Sequence, residues 1–327
     1  MPKKLRWGIL STARIATQLV RAISLSTQNE LVAVASREQA RAEAWAHEHK
    51  VAHAFGSYDE LLASELIDAV YIPLPNGLHQ EWAIRAAEQG KHILCEKSLA
   101  NNAAAAQAMA MAARQRGVLL MEAFMYRFHP QCAQVQQMIA EGAIGDLRII
   151  RATFGFNLTR PDDIRWDKAL GGGSLLDVGC YAVNVSRLLA GVEPVAVQAS
   201  ATWTPGEVDS SLVGVMEFPN GVIAAIDSSF QTGGHQWVGI SGTQGHIGLV
   251  TPFRMDENPT TILYDHGGKS ETARGRGANE YHQMVEHFSD AVLNSHPLSY
   301  PPESSLAQMR VLDALAESAR SRRRIEL

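Results

Sequence analysis

The first 125 residues alternate apolar runs with amphipathic segments, and this alternation most restricts the fold that the chain can adopt. Apolar runs such as LRWGILS, ELVAVAS and DAVYIPLP are each followed by a stretch with helical periodicity. Strands that are apolar along their whole length are buried on both faces, as in a parallel sheet covered by helices. The pattern predicts an α/β fold, with a doubly wound parallel sheet of the Rossmann type over residues 1–123.

Strand-like segments dominate the chain from residue 124 onward. Segments such as DLRIIRATFGF, SSLVGVMEF and GVIAAIDSSF have the length of strands, and the pair Asn220-Gly221 is typical of a hairpin turn. A helix over GGGSLLDVGCYAVNVSRLLAG interrupts them, and helical patterns at about 279–294 and 303–322 end the chain. We expect residues 124–327 to form a second, α+β domain with a large open, mostly antiparallel sheet.

Composition argues against several classes of function. The formal net charge is −5, so the chain lacks the basic excess that is typical of nucleic-acid binding. No run approaches the roughly 20 apolar residues of a membrane span, and no secretory signal follows the N-terminal residues. Three widely spaced cysteines show no metal-ligand spacing and are typical of reduced cytosolic thiols. We expect a cytoplasmic protein that binds neither nucleic acid, membrane nor metal.

The segment WGILSTARIA, residues 7–16, has the outline of a dinucleotide-binding strand, turn and helix. The fingerprint G-x-G-x-x-G/A falls on Ser11, Ala13 and Ala16, so two glycines are replaced. The start of a helix can still bind phosphate through backbone N–H groups. The segment is either such a loop or a core strand followed by an ordinary helix. As a loop, it would contact the pyrophosphate through Ser11, Thr12, Ala13, Arg14 and Ile15.

The end of the second predicted strand, VASRE, indicates which dinucleotide binds. An NAD site usually has an acidic residue here, whereas a basic residue accommodates the 2′-phosphate of NADP. Ser36 and Arg37 offer a hydroxyl and a guanidinium, which form charge-assisted hydrogen bonds to phosphate. Arg37 is otherwise a solvated arginine at an exposed turn. We predict NADP as the cofactor, with NAD less favoured.

Two further loops follow predicted strands at the edge where ligands bind in open α/β sheets. The first, PLPNGLH, supplies candidate cofactor contacts at Pro73, Leu74, Asn76 and His79. The second, CEKSLA, supplies candidate cofactor contacts at Glu96 and Lys97. A lysine here can hydrogen-bond a substrate oxygen or lower the pKa of a neighbouring phenol, although a lone lysine is more typical of a solvated surface.

The segment GGGSLLDVGCY places two candidate catalytic side chains after a glycine run. Gly171–Gly173 allow unusual backbone angles, and Asp177 and Tyr181, four residues apart, share one helix face. A carboxylate and a phenol on one face can position an alcohol and relay its proton, helped by a nearby ammonium. The alternative is a packed Tyr181 with Asp177 capping a turn.

Taken together, these segments resemble the glucose–fructose oxidoreductase / inositol dehydrogenase (Gfo/Idh/MocA) superfamily over essentially the whole chain. WGILSTARIA, IPLPNGLH, GKHILCEKSLA, MEAFMYRFHPQ and GGGSLLDVGCYAVN occur in its order and approximate spacing. The chain is most similar to the branch that holds dimeric dihydrodiol dehydrogenase and NADP-dependent D-xylose dehydrogenase. The resemblance implies reversible, NADP(H)-dependent hydride transfer at a secondary or hemiacetal hydroxyl of a sugar or cyclic trans-diol.

The resemblance also implies roles for individual side chains. It makes Lys97, Tyr181 and Asp177 the catalytic residues, with Tyr181 as the proton acceptor. Tyr181 and Asp177 would also contact the substrate. It places Arg127, Phe128 and His129 near the substrate, although a histidine before Pro130 is by itself typical of a helix start. Arg165 and Trp166 are candidates to lie over the cofactor or line a sugar pocket, although a buried packing role is at least as common for a tryptophan.

Ser98 departs from the superfamily pattern. The superfamily motif is Glu-Lys-Pro with a cis-proline, and Ser98 stands in the place of that proline. A cis bond before a residue other than proline costs about 2.5–4 kcal/mol. We therefore expect a trans Lys97-Ser98 bond with a small local adjustment.

The superfamily holds two alternatives to a dehydrogenase. Non-catalytic dinucleotide-binding sensors or regulators would suit the replaced glycines and the missing proline, but the joint presence of Lys97, Asp177 and Tyr181 argues against them. Redox-neutral glycosidases that hold NAD are disfavoured by Ser36-Arg37. The open C-terminal sheet needs a cover on its outer face, and we expect a homodimer through that sheet, as in many superfamily members.

Overall fold

The computed structural model describes residues 4–255 and 257–327, which divide into two compact units. The first unit holds the residues up to Met125 together with Glu280–Leu306, and the second holds Tyr126–Asn279 and Ala307–Leu327. Residues 280–306, which the sequence analysis assigned to the second domain, thus belong to the first unit. The cause is packing, because the ring of Phe288 lies against Trp7 with 5.3 Å between the ring centroids.

Within the described residues, the first unit contains a six-stranded parallel sheet flanked by helices. Its strands are β1 (Leu5–Leu10), β2 (Asn29–Ala35), β3 (His53–Phe55), β4 (Ala69–Ile72), β5 (His92–Cys95) and β6 (Leu120–Glu122). Its helices are α1 (Ala16–Ser24), α2 (Gln39–His49), α3 (Tyr58–Ala63), α4 (Asn76–Glu88), α5 (Ala103–Arg116) and α8 (Glu280–Asn294). The strand order is β3-β2-β1-β4-β5-β6, which is that of the dinucleotide-binding doubly wound fold. The predicted Rossmann-type sheet is confirmed.

Helix caps in the first unit follow from short signals in the sequence. The Ser57 hydroxyl accepts the N–H of Glu60 at 3.1 Å and begins α3, as the Ser-x-x-Glu pattern predicts. Asn102 accepts the N–H of Ala105 at 2.9 Å and begins α5. Gly117 ends α5 in the left-handed conformation. Each of the two N-caps stabilises its helix by about 1 kcal/mol.

In the same described part of the chain, the second unit is built on a nine-stranded sheet. Its strands are β7 (Leu147–Asn157), β8 (Ala196–Trp203), β9 (Asp209–Glu217), β10 (Ile223–Ser229), β11 (Gln231–Gly242), β12 (Gly245–Leu249), β13 (Thr260–His266), β14 (Lys269–Gly275) and β15 (Ile325–Glu326). The order is β14-β13-β12-β11-β7-β10-β9-β8-β15, and among these strands β7 and β10 pair parallel while the other pairs are antiparallel. The predicted mostly antiparallel sheet is confirmed.

The helices of the second unit cover one face of its sheet. They are α6 (Pro130–Ala140), α7 (Cys180–Ala190) and the last part of α9 (Pro302–Ser321), which the division into units crosses. Helix α7 packs on β7 and β10. On the opposite face, Val213 is 60% exposed and Ile223 is 48% exposed, and the register of β9 and β10 places both side chains on that face. This apolar face is where the expected homodimer would form, and the homodimer stays a prediction.

Candidate functional site

The loop between β1 and α1 keeps a glycine-like backbone although its first fingerprint position is a serine. Ser11 has a φ of 127°, in the region that favours glycine. Its N–H donates to the carbonyl oxygen of Ala35 at 3.0 Å, and its Oγ accepts the N–H of Ala13 at 3.0 Å. The N-cap position of α1 is Ile15, which has no side-chain acceptor for the first turn. The tight turn of a phosphate-binding loop is present, and no side chain competes with a phosphate at the start of α1, where the N–H groups of Ala16–Gln18 donate to backbone carbonyl oxygens.

The end of β2 presents one buried and one exposed polar side chain. Ser36 is buried, and its N–H donates to the carbonyl oxygen of Phe55 at 3.0 Å, whereas the guanidinium of Arg37 is exposed. The Nε of Arg41, in the first turn of α2, donates to Thr12 Oγ1 at 2.8 Å. Arg41 was not predicted, and its signal was a second arginine four residues after Arg37. It brings positive charge directly onto the candidate phosphate loop.

His79 ties together the two loops that follow β4 and β5. It is fully buried in α4, with Nε2 2.7 Å from the carbonyl oxygen of Leu74 and Nδ1 3.0 Å from that of Ser98. Burial lowers its pKa to about 4, although the carbonyl oxygens act in the opposite direction. The neutral ring carries a single N–H and donates to one of these loops at a time, and its packing between the two loops fixes their spacing. Pro73, Leu74 and Asn76 lie on the first of these loops and at the start of α4, next to the end of β4.

The pH dependence of stability tests the burial of His79. A histidine with a pKa of 6.5 when unfolded and about 4 when folded binds protons more readily when unfolded, so acidification from pH 6.5 to 4 costs roughly 3 kcal/mol of stability at this group. We expect His79→Gln to show a smaller fall in thermal unfolding midpoint over this range than the wild type, measured by circular dichroism. The exposed His53→Gln is the matched control. Parallel curves for wild type and His79→Gln would contradict the assignment.

The Lys97-Ser98 peptide bond is cis, so the expectation of a trans bond was wrong. That expectation considered only the residue after the bond, whereas the loop is held by contacts from elsewhere in the fold. The carbonyl oxygens of Ser98 and Leu99 lie 3.0 Å and 3.2 Å from Nδ1 of His79. The N–H of Leu99 donates to Oε1 of Glu122 at 2.8 Å. Surrounding contacts of this kind can fix a conformation that the residue type alone does not favour.

Two buried carboxylates hold the loop that carries the half-buried Lys97. Glu96 accepts the hydroxyl of Tyr71 and, at 3.3 Å, the N–H of Lys97. Glu122 accepts the hydroxyl of Tyr300 at 3.2 Å in addition to the N–H of Leu99. Glu122 was not predicted, although an acidic residue inside the apolar run VLLMEAF was a signal, since buried carboxylates need partners. These contacts fix the backbone that carries Lys97.

Asp177 and Tyr181 lie in the second unit, across the junction of two helical segments. Asp177 belongs to a π-helical turn, Leu175–Gly179, and Tyr181 is in the first turn of α7, which follows it. Oδ2 of Asp177 accepts a hydrogen bond from Nε of Arg165 at 2.7 Å. The carboxylate of Asp177 thus forms an ion pair with Arg165, and its catalytic role stays a prediction.

Tyr181 is enclosed by aromatic rings of the same unit. Its ring centroid lies 6.0 Å from that of Tyr126, 5.5 Å from that of Phe154 and 5.4 Å from that of Phe253, and the residue is 5% exposed. Aromatic neighbours at these distances hold a ring in one orientation.

Trp166 is half-buried, and its Nε1 donates to the carbonyl oxygen of Arg160 at 3.0 Å.

Arg127 and His129 have different structural roles. Nη1 of Arg127 donates to Oδ1 of Asn184 at 3.0 Å, which ties this residue to α7 one turn after Tyr181. His129 is buried and caps α6, where its Nδ1 accepts the N–H of Gln131 at 3.1 Å. The helix-start interpretation of His129 is thus confirmed. Phe128 is half-buried at the end of a short 3₁₀ turn.

The structure brings together some of the predicted residues and leaves others in separate units. The cofactor candidates on the β1, β2, β4 and β5 loops, with Lys97, belong to the first unit, and Arg127, Arg165, Asp177 and Tyr181 belong to the second. Arg165 and Asp177 are in direct contact. The role predicted for each residue stays a prediction.

Neither a candidate metal centre nor a membrane-spanning helix is found within residues 4–255 and 257–327. No three His, Cys, Asp or Glu side chains of this part of the chain are grouped so that they could hold a metal ion. Nδ1 of His282 lies 3.0 Å from the carbonyl oxygen of Ala22, and Nε2 of His287 accepts the N–H of Ser299 at 3.0 Å. None of these helices is both long and apolar enough to cross a membrane.

Comparison with protein families assigns the two parts of the chain. Residues 5–124 match the model of the oxidoreductase family with an NAD-binding Rossmann fold, and residues 132–248 match the Gfo/Idh/MocA C-terminal domain. A D-xylose 1-dehydrogenase (NADP(+)) of Haloferax volcanii is 40% identical over 98% of this chain and 99% of its own length. The chain belongs to the Gfo/Idh/MocA oxidoreductase family. The resemblance seen in the sequence is confirmed, and the chain is an oxidoreductase.

Other members of the Gfo/Idh/MocA family are similar over nearly the full length. A trans-1,2-dihydrobenzene-1,2-diol dehydrogenase of Xenopus laevis is 31% identical over 96% of each chain. The crystal structure of an aldose–aldose oxidoreductase from Caulobacter crescentus, complexed with glycerol, matches with a TM-score of 0.93, 27% identity and coverage of 99% of this chain and 100% of that chain. A 3-ketoreductase from Actinomadura kijaniata, in complex with NADP, matches with a TM-score of 0.92, 30% identity and coverage of 97% and 98%.

Proposed function

We propose that the chain is an NADP-dependent dehydrogenase or reductase that acts reversibly on a secondary or hemiacetal hydroxyl of a sugar or cyclic trans-diol. The observation that carries the proposal is the fixed placement of two side chains at the start of α7, where Arg165 holds the carboxylate of Asp177 and aromatic rings enclose Tyr181. The names of the Haloferax and Xenopus relatives, which describe a sugar dehydrogenase and a diol dehydrogenase, support this class of substrate.

The residues of the first unit fit an NADP molecule. The glycine-like turn at Ser11 and the uncapped start of α1 suit a pyrophosphate. Exposed Arg37 and neighbouring Ser36 would hold the 2′-phosphate, and Arg41 would add charge on the Thr12 side of the loop. The Haloferax relative is named as NADP-dependent, and the Actinomadura structure contains NADP, which supports the same cofactor here.

Each catalytic candidate has a distinct role in this proposal. Tyr181 takes the proton of the substrate hydroxyl as the carbon–hydrogen bond breaks, and Asp177 orients that hydroxyl. Lys97 donates a hydrogen bond to the reacting oxygen and favours the ionised phenol. When bound, NADP would supply the nicotinamide that accepts the hydride. The aromatic rings around Tyr181 exclude water from the proton transfer.

A panel of aldoses and cyclic trans-diols tests the proposed function. The protein is incubated with NADP and each compound, and the absorbance of the reduced nicotinamide is followed over time. We expect turnover with at least one member of the panel and slower turnover with NAD. Dinucleotide binding without turnover of any compound would contradict the proposal and favour a sensor or regulator. Glycoside hydrolysis with no net change in NAD would favour a redox-neutral glycosidase.

Arg37→Ala tests the choice of cofactor. Loss of a charged hydrogen-bond donor to the 2′-phosphate removes about 1.5–3 kcal/mol of binding, so KM for NADP should rise by roughly tenfold to hundredfold. KM for NAD should change little because NAD lacks that phosphate. Steady-state kinetics with both cofactors measures the ratio, and exposed Arg116→Ala at the end of α5 is the matched control. Equal effects on both cofactors would contradict the role of Arg37.

A further inference from the structure

A buried carboxylate holds the start of the helical segment that carries Asp177 and Tyr181. Asp209, the first residue of β9, is 6% exposed. Its Oδ2 accepts the hydroxyl of Ser174 at 2.6 Å and the N–H of Leu175 at 2.7 Å. Leu175 begins the π-helical turn that contains Asp177. The carboxylate thus bonds directly to the point where the glycine loop becomes helix.

The glycine run lets Asp209 approach the backbone closely. Gly173 has a φ of 111°, and a Cβ atom there would lie 2.3 Å from Oδ1 of Asp209. The other side of the run packs on Arg165, because a Cβ on Gly172 would lie 2.4 Å from the carbonyl oxygen of Arg165. The N–H of Gly173 donates to that same oxygen at 2.9 Å. The loop is therefore held between Asp209 and the backbone of Arg165.

These contacts form one connected chain that ends on the candidate catalytic carboxylate. Asp209 fixes Ser174 and Leu175, and the adjoining Gly173 bonds to the backbone of Arg165. The side chain of Arg165 in turn donates to Asp177. The backbone of the helix and the side chain of Asp177 are thus fixed from the same loop.

Ser228 extends the anchor along the π-helical turn. Its Oγ lies 2.9 Å from Oγ of Ser174, and a Cβ on Gly179 would lie 3.0 Å from Oγ of Ser228. Gly179 is the last residue of the turn, just before α7. Contacts with β9 and β10 therefore run from the beginning of the turn to its end.

Burial of the Asp209 carboxylate costs free energy, and the hydrogen bonds that it accepts offset this cost. Burial raises its pKa to about 6, whereas the hydrogen bonds from Ser174 and Leu175 favour the ionised form. A buried carboxylate is tolerated where donors surround it, and removal of the acceptor leaves the donors unsatisfied. A side chain of β9 thus determines how the π-helical turn is seated.

We propose that Asp209 is a positioning residue, which anchors the glycine loop and the first helical turn so that Asp177 and Tyr181 keep their productive placement. The inference rests on the proposed function, because it assigns a purpose to the placement of these two side chains. Asp209 itself contacts no reacting group in this scheme. Its effect passes through Leu175 and the Arg165–Asp177 pair.

Asp209→Ala and Asp209→Asn test the proposal through a split between kinetic constants. A small displacement of catalytic groups can cost about 10²-fold in rate, so Asp209→Ala should lower kcat by roughly tenfold to hundredfold. KM for NADP should change much less than kcat, since most of the cofactor candidates lie in the other unit. Asp209→Asn should restore most of kcat, because its amide oxygen can accept from Ser174 and Leu175. Asp227→Ala, in the neighbouring strand β10, is the matched control and should behave as the wild type.

Hydrogen–deuterium exchange over residues 172–181 gives a readout that does not require turnover. We expect faster exchange of this segment in Asp209→Ala than in the wild type, Asp209→Asn or Asp227→Ala. Exchange that is unchanged in Asp209→Ala would overturn the anchoring role, even if the protein turned over no compound of the panel. Should Asp209→Ala fail to fold, Ser174→Ala removes one of the two donors and should show the same effects to a smaller degree.

The failure of this inference is distinguishable from the failure of the proposed function. A wild-type protein that turns over no compound contradicts the proposed function, while exchange still reports on the anchor. A wild type that is active, with an Asp209→Ala variant that keeps its kcat, overturns the positioning role alone. A loss in Asp209→Ala that Asp209→Asn does not relieve also overturns it.

Discussion

Tyr181→Phe is expected to lower kcat by roughly 10²- to 10⁴-fold, the usual contribution of a positioned proton acceptor. The substitution removes only the hydroxyl. The ring keeps its contacts with Tyr126, Phe154 and Phe253, so the packing of α7 should be unchanged. Initial rates with NADP and the best substrate of the panel measure the loss, and KM for NADP should stay near the wild-type value.

Tyr264→Phe is the matched control for Tyr181→Phe. Tyr264 belongs to the same unit, and its hydroxyl donates to the carbonyl oxygen of Ala143 at 2.6 Å. Removal of that hydroxyl should leave kcat unchanged. Turnover of Tyr181→Phe close to that of the wild type would contradict the role of Tyr181 as proton acceptor, and Asp177 would then be the next candidate.

The parallel sheet was predictable because its central strands are apolar at nearly every position. β1, β4 and β5 are buried on both faces, and such strands leave a continuous apolar run in the sequence. The short strand β3 was missed because His53–Phe55 carries no such run. It exists through its pairing with β2, which no local pattern shows.

The outer strands of the second sheet were missed for a similar reason. β14 is largely polar and exposed, and β13 has only the short apolar run Ile262–Tyr264, so neither strand has the sustained alternation that marks a half-buried strand. Their turn was nonetheless visible, since Gly267 and Gly268 both have positive φ and glycine pairs favour two-residue hairpin turns. β15 has two residues and depends on its pairing with β8.

The sequence indicated candidate site residues at strand ends but not the side chains that hold them. Lys97, Asp177 and Tyr181 lie beside recognisable motifs. Their supports do not, because hydrogen-bond partners are brought together by tertiary packing. Glu122 holds the amide of Leu99 from 23 residues away, and Asp209 holds Ser174 from 35 residues away. The cis Lys97-Ser98 bond was missed for the same reason, because the contacts that hold this loop come from residues distant in the sequence.

Lys97→Met is expected to lower kcat by roughly 10²-fold or more, because it removes the ammonium that assists proton transfer. Met keeps much of the length and apolar character of the lysine stem. The N–H groups of Lys97 and Leu99 and the hydroxyls of Tyr71 and Tyr300 donate to Glu96 and Glu122, and these four hydrogen bonds do not involve the side chain of Lys97. NADP affinity, measured by cofactor fluorescence quenching, should change far less than kcat.

The pH–rate profile of Lys97→Met separates an electrostatic role from simple disruption. Without the ammonium, the proton-accepting phenol ionises less readily, so the rising limb of the profile should move to higher pH. Lys269→Met, at the exposed start of β14, is the matched control and should keep the wild-type profile. A variant at position 97 with an unchanged profile and near-normal kcat would show that Tyr181 accepts its proton without help from Lys97. A lower kcat with an unchanged profile would leave Lys97 as a hydrogen-bond donor to the reacting oxygen and no more.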